Sequence, residues 1–242
     1  MALVTGGATG IGAATVAALA EAKITVALQY SSSENEAKQI SEQLNSKGLK
    51  VEIFRADLSQ KDSIDKLVAS VKAKLGDIDI LINNAGLMSD ASIIEMSDEL
   101  WDQALNINLT AAFKLIRACA PSMVIKKWGR IINISSQVAL VGSANHAHYA
   151  AAKAGLLGLT YSAAKEYGAS GVTVNAVLPG RIQTNMIAQR SKGRLDEWLA
   201  QTPLNRLGKP EEVAGMINFL ASEMASYVTG ASINVNGGLV MG

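Results

Sequence analysis

A short apolar run, Ala2-Leu3-Val4, passes directly into Thr5-Gly6-Gly7-Ala8-Thr9-Gly10-Ile11-Gly12, after which Ile11, Val16 and Leu19 recur at helical spacing to about Glu21. Strand, glycine turn and helix together open a βαβ unit, whose second strand returns parallel to the first through a right-handed crossover. Glycines here permit positive φ and close backbone approach, and the helix start offers unpaired N–H groups to a pyrophosphate. Alone, such a cluster could be a tight turn. Between a strand and a helix it reads as a dinucleotide site.

The same alternation continues along the chain. Further strands are predicted at Ile24–Gln29, Val51–Arg55, Ile78–Ile82, Arg130–Ile134, Val172–Val177 and from Ile233 into Asn236-Gly237-Gly238. Helical periodicity fills the gaps, at Glu34 to about Ser46, Lys61–Leu75, Ser97 to about Met123, a helix reaching about Tyr167, and one begun by Pro210. Seven strands alternating with helices predict an α/β fold of Rossmann type: a doubly wound, parallel, seven-stranded sheet with helices on both faces. No linker interrupts it, so residues 1–242 are expected to form one domain.

Composition removes several function classes. The net charge is +1 with no long basic run, so nucleic acid is not an expected partner. The one cysteine, Cys119, lies in an apolar helical stretch and reads as a buried spectator. The Ala-rich run Ala13–Ala20 stops at Glu21, too short to cross a bilayer, and no signal peptide is visible. These features predict a cytoplasmic protein without a membrane partner.

The second strand ends in Leu28-Gln29-Tyr30-Ser31-Ser32-Ser33, with no acid before Glu34. NAD sites usually place an acid there for the ribose 2′-hydroxyl, which would repel a 2′-phosphate. Its absence beside a hydroxyl cluster favours NADP(H) over NAD(H), although the serines serve equally as an N-cap cluster. The strand at Arg130–Ile134 delivers Ser135-Ser136 to the crevice side of the sheet. Tyr149-Ala150-Ala151-Ala152-Lys153 then sets a phenol and an ammonium one helical turn apart, where the cation favours the phenolate. By itself that spacing is equally a helical tyrosine with a solvated lysine. His146 and His148, the only histidines, have no third ligand nearby and read as polar residues of a substrate loop, with no metal expected.

Together the glycine turn G-x-x-x-G-x-G, Asn83-Asn84-Ala85-Gly86, Asn108, Ser136 and the Y-x-x-x-K pair resemble the short-chain dehydrogenase/reductase family in order and spacing, over essentially the whole chain. The resemblance implies a catalytic set of Asn108, Ser136, Tyr149 and Lys153. It implies cofactor contacts at Gly6, Thr9, Gly10, Ile11, Gly12, Tyr30, Ser31, Ser32, Asp57, Leu58, Asn83, Ala85, Gly86, Pro179, Gly180, Ile182 and Thr184, besides Tyr149 and Lys153. Asp57 or Ser59 can alternatively cap the next helix. Substrate contacts are implied for Ser136, Val138, His146, Tyr149 and Met186, beneath a lid at about 185–206 whose Arg190, Lys192 and Arg194 meet an anionic substrate or simply solvent.

Within the family the pattern is most similar to bacterial 3-oxoacyl-[acyl-carrier-protein] reductases, which implies a carbonyl or acyl-thioester substrate, an acyl carrier protein partner docking near Lys126 and Lys127, and a homotetramer paired through the two long helices. Ser170, Arg181 and Asn185 depart from that pattern, and Thr9 stands where many NADP(H) members carry a basic residue. Reduction of small ketones, sugars or polyols therefore stays open, as do a cofactor-sensing regulator and a scaffold without turnover.

Overall fold

Residues 1–190 and 193–241 are described by a computed structural model of the protein, with the side chains of residues 189 and 190 left aside. Strands β1 (Ala2–Val4), β2 (Val26–Tyr30), β3 (Val51–Arg55), β4 (Ile80–Asn83), β5 (Gly129–Ile134), β6 (Val172–Pro179) and β7 (Ser232–Val235) form one sheet in the order β3-β2-β1-β4-β5-β6-β7. Every pairing is parallel, with Leu3 between Ala27 and Leu81 and Ile132 between Ile82 and Asn175. The order reverses between β1 and β4, which opens a crevice at the carboxyl ends of the strands.

Both faces are covered, and strand alternation decides what each face meets. Val4, Leu28, Ile82, Ile132 and Val177 pack with α1 (Gly10–Glu21), α2 (Glu34–Asn45) and α10 (Pro210–Leu220). Leu3, Ala27, Leu81, Ile131 and Val174 pack on the other face with α3 (Ser63–Leu75), α5 (Ala111–Lys126) and α7 (Ala147–Tyr167). Leu3, Leu28, Leu81, Ile82, Ile131 and Ile132 are fully buried. Each such side chain contributes about 1.5–3 kcal/mol relative to exposure, which anchors the strand ends that form the crevice.

The long helix expected from Ser97 to Met123 is not continuous. Ser97 caps α4 (Asp98–Leu105) by accepting from Leu100 N–H, a π-turn spans Asn106–Thr110, and α5 follows. Its cause is local. Asn108 is buried and its Nδ2 takes the Ala104 carbonyl one turn back at 2.9 Å, competing with the backbone ladder. The short α6 (Val138–Val141) follows β5, while α8 (Asn185–Arg190) and α9 (Leu195–Ala200) occupy the segment at about 185–206. Lys192 lies outside the described residues.

Candidate cofactor cleft and active site

Glycines in the turn after β1 cannot be replaced without a clash or backbone strain. Gly6 and Gly10 adopt φ of +60° and +52°. A Cβ at Gly12 would stand 2.1 Å from Gly6 O, and one at Gly10 would stand 2.9 Å from Thr184 Cγ2. The loop thus folds onto the start of α1 with Thr9 exposed at the N-cap and no side chain spent on capping. Bare N–H groups of the first helical turn, including those of Ile11 and Gly12, are what a pyrophosphate needs.

Three side chains outside the expected contacts, Gln29, Asn84 and Thr5, hold this loop. Gln29, buried in β2, accepts from Gly6 N–H through Oε1 at 2.9 Å and donates through Nε2 to Ala56 O at 2.7 Å. Asn84 Nδ2 donates to Thr5 O and Gly6 O at 2.9 and 3.1 Å. Thr5 Oγ1 accepts from both Asn84 N–H and Ala85 N–H at 3.0 Å. A lone polar residue at the end of an apolar strand was the available signal for Gln29.

A cavity of about 320 Å³ opens beside the loop, and Gly6, Thr9, Tyr30, Ser31, Ser32, Asp57, Leu58, Ala85 and Gly86 line it together. No acid occupies the end of β2. Ser33 is the N-cap of α2 yet makes no side-chain capping bond, and Ser31 and Ser32 are exposed, so the cluster is not consumed by the helix. Asp57 accepts from the Ser59 N–H at 3.0 Å and the Ser59 hydroxyl at 2.7 Å, which hold its carboxyl below the usual range. It closes its own turn while facing the cavity; the N-cap position of α3 is Asp62, in left-handed conformation and without a side-chain capping bond. Asn83 differs from expectation. Its side chain lies on the sheet face beneath α7, donating to Asn133 Oδ1 at 2.8 Å, and Asn133 donates in turn to Thr160 of α7. The Asn83 side chain is therefore buried within the protein rather than open to the cleft.

Deeper in the cleft, Lys153 and Asn108 converge on Gly86. A Cβ there would lie 2.9 Å from Asn108 Oδ1 and 3.6 Å from Lys153 Nζ. Asn108 also holds the loop after β4, accepting from Leu87 N–H and donating to Leu87 O at 3.1 and 2.8 Å. Lys153 is 3% exposed and donates to Ile134 O at 2.7 Å, with its ammonium 5.5 Å from the Tyr149 ring centre. Burial pushes its pKa down to about 8. Ser135 is buried and donates to Lys153 O, which ties β5 to α7. Ser136 Oγ accepts from Val138 N–H at 3.3 Å, so its own proton is available to a ligand.

Downstream of β6, a Cβ on Gly180 would approach Asn236 Cα to 2.7 Å. Pro179 ends β6, and Ile182 forms an isolated parallel bridge with Gly208. The bridge engages Arg181 O and Gln183 N–H, so the Ile182 N–H faces away from Gly208. Thr184 packs on the glycine loop, and Met186 is exposed on α8. His146 precedes α7 and bonds Asp90 and Ser143 at 2.6 and 2.9 Å. His148 is not the substrate-loop residue that sequence suggested: it is completely buried, because α7 turns it toward the loop after β4, where it meets Ser89. Cys119 is buried with its thiol pushed up to about 12, an inert residue. Among the described residues no cluster could hold a metal.

A parallel sheet whose crevice combines a glycine turn at a helix start with a desolvated lysine one turn from a tyrosine defines a dinucleotide-dependent oxidoreductase. Residues 6–240 match the family described as Enoyl-(Acyl carrier protein) reductase. The 3-oxoacyl-[acyl-carrier-protein] reductase FabG of Salmonella typhimurium is 42% identical over 243 residues, covering 100% of this chain and 97% of that protein. Its counterpart from Staphylococcus epidermidis is 38% identical over 240 residues, with 99% and 98% covered. A solved blue fluorescent protein from a metagenomic library, in complex with NADPH, superposes with a TM-score of 0.93 at 38% identity, covering 99% and 97% of the two chains. The chain belongs to the short-chain dehydrogenase/reductase family and is a dehydrogenase/reductase acting between CH–OH and C=O groups.

Proposed function

We propose that the protein reduces the carbonyl of a 3-oxoacyl thioester with NADPH. The observation that carries the reaction class is the Lys153 ammonium, buried with no carboxylate bonded to it and placed under the Tyr149 ring. When bound, the nicotinamide supplies hydride to the carbonyl carbon. Ser136 and Tyr149 donate hydrogen bonds to the carbonyl oxygen and stabilise the charge that develops there. Tyr149 passes its proton to that oxygen. Lys153 favours the phenolate left behind and positions the cofactor ribose; Asn108 fixes the loop that carries Gly86 beside both.

NADPH is preferred because the exposed Ser31 and Ser32 and the absence of an acid at Tyr30 suit a 2′-phosphate. One or two charge-assisted bonds predict a preference over NADH of about 10- to 100-fold in kcat/KM. The thioester reading draws on the relatives' printed names, while the matched family's description names an enoyl reductase. A single assay separates these: NADPH oxidation is expected with an acetoacetyl thioester, at a rate exceeding that with a crotonyl thioester or with simple ketones, sugars and polyols. Tight NADPH binding with no turnover on any of them would contradict the proposal and favour a cofactor sensor.

An acyl carrier protein is the partner that reading implies, and the cytoplasm the expected compartment; no described helix is long and apolar enough to cross a membrane. Lys126 is not a free docking cation, since it pairs with Asp77 and Asp79 at 3.3 and 2.8 Å, so an acidic carrier would have to compete with both. Exposed Trp101 on α4 and Phe113 on α5 suit pairing with a second copy. A homotetramer near four times 25.3 kDa is expected by light scattering, and a stable monomer at micromolar concentration would contradict it.

A further inference from the structure

Tyr149 is the third residue of α7, which begins at Ala147. A first helical turn has unpaired N–H groups and frays readily. This one lacks both common restraints: His146 at the N-cap makes no side-chain capping bond, and no acidic residue lies in the first turn. Another element holds it. In the loop after β4, Ser89 Oγ meets His148 Nε2 at 2.9 Å, Asp90 Oδ1 meets His146 Nε2 at 2.6 Å, and Ala91 N–H donates to Asn145 O at 2.9 Å. Two residues upstream the same loop is bonded at Leu87 to Asn108. Residues 87–91 thus run as a strap from Asn108 to the neighbour of Tyr149.

His148 is the strap's buried anchor on α7, 0% exposed, and its Nδ1 meets no partner. Burial holds its pKa below the ordinary value, with His146 acting in the same direction and Asp90 opposing. The ring is neutral at physiological pH. Its proton belongs on Nε2, donating to Ser89 Oγ, because a buried lone pair left bare on Nδ1 is tolerated better than a buried orphan N–H.

We propose that His148 is a positioning residue for the reaction: through its Nε2–Ser89 bond it fixes the first turn of α7, and with it the Tyr149 phenol relative to Lys153 and Asn108. This rests on the reading of Tyr149 as proton donor. It predicts an asymmetry between two conservative variants. A glutamine amide nitrogen falls near the place of histidine Nε2, whereas that of asparagine falls near Nδ1. His148→Gln therefore keeps the bond to Ser89, and His148→Asn loses it.

With NADPH and acetoacetyl thioester, His148→Gln is expected within about threefold of wild-type kcat. His148→Asn and Ser89→Ala should lose about 10- to 100-fold in kcat, with the KM for NADPH within about twofold, since a displacement near 1 Å at the reacting groups costs on that order. Equal kcat for the glutamine and asparagine variants would overturn the proposal. Ser89→Ala removes only a half-buried hydroxyl and decides the matter if His148→Asn does not fold: wild-type kcat in that variant also overturns it. Tyr149→Phe in the same assay separates the two claims. An active Tyr149→Phe defeats the proton-donor reading and this proposal with it; an inactive one beside equal His148 variants defeats the positioning role alone.

Discussion

Replacing Lys153 by methionine is expected to reduce kcat by about 10²- to 10⁴-fold while making the cofactor-free protein more stable. The loss follows from removing the cation that acts on the Tyr149 phenol. The gain follows from what the fold pays to bury that cation. A pKa pushed from 10.5 to about 8 by burial corresponds to roughly 3 kcal/mol. Methionine fills similar space but leaves Ile134 O without its 2.7 Å partner, at a cost of about 1–2 kcal/mol. The balance is a stabilisation of about 1–2 kcal/mol at pH 7, or roughly 2–8 °C in Tm for a chain of this length.

The pH dependence has a definite sign. A lysine with a depressed folded-state pKa binds fewer protons folded than unfolded between about 8 and 10.5, so its contribution to stability rises with pH across that window. Below about 8 the full burial cost applies. Urea unfolding at pH 7 and pH 10 should show the advantage of Lys153→Met shrinking at the higher pH. A methionine variant less stable than wild type at pH 7 would mean that Lys153 is stabilised by its surroundings, against the burial argument.

Tyr149→Phe is expected to lower the single-turnover rate of NADPH oxidation by about 10³-fold or more, because it removes both the proton donor and one of two hydrogen bonds to the developing alkoxide. Phenylalanine keeps the ring that lies 5.5 Å from the Lys153 ammonium, so the packing of the first turn of α7 is retained. NADPH affinity should stay within about threefold, since the glycine loop, Gln29 and Asn84 hold the cofactor end of the cleft independently of the phenol. A rate within a few-fold of wild type would remove Tyr149 from the chemistry. A large parallel loss of NADPH affinity would instead make it a cofactor-binding residue.

Much of this site was legible because it rests on local rules. Strand alternation, the glycine turn and the i, i+4 spacing of Tyr149 and Lys153 each act over a few residues, and the seven parallel strands followed from them. What escaped depends on contacts between distant segments. The two asparagines in a helical pattern marked an irregularity at 106–108, but that Asn108 would reach Ala104 and Leu87 and open a π-turn needed the packed loop. Asn83 and Asn84 are adjacent letters with opposite fates: Asn83 ends β4 and faces Asn133 and α7, whereas Asn84 lies just past the strand and turns onto the glycine loop. Histidine-148 looked like a loop residue for the same reason that Gln29 looked unremarkable: each is polar, and its buried partner lies far off in sequence.

The most direct measurement is a stopped-flow single turnover of the purified wild-type protein loaded with NADPH and mixed with an acetoacetyl thioester. Stoichiometric, thioester-dependent NADPH oxidation with formation of the 3-hydroxyacyl thioester is expected, with near-complete loss in Tyr149→Phe at unchanged NADPH occupancy. Saturating NADPH binding with no thioester-dependent oxidation in the wild-type protein would contradict the proposed activity.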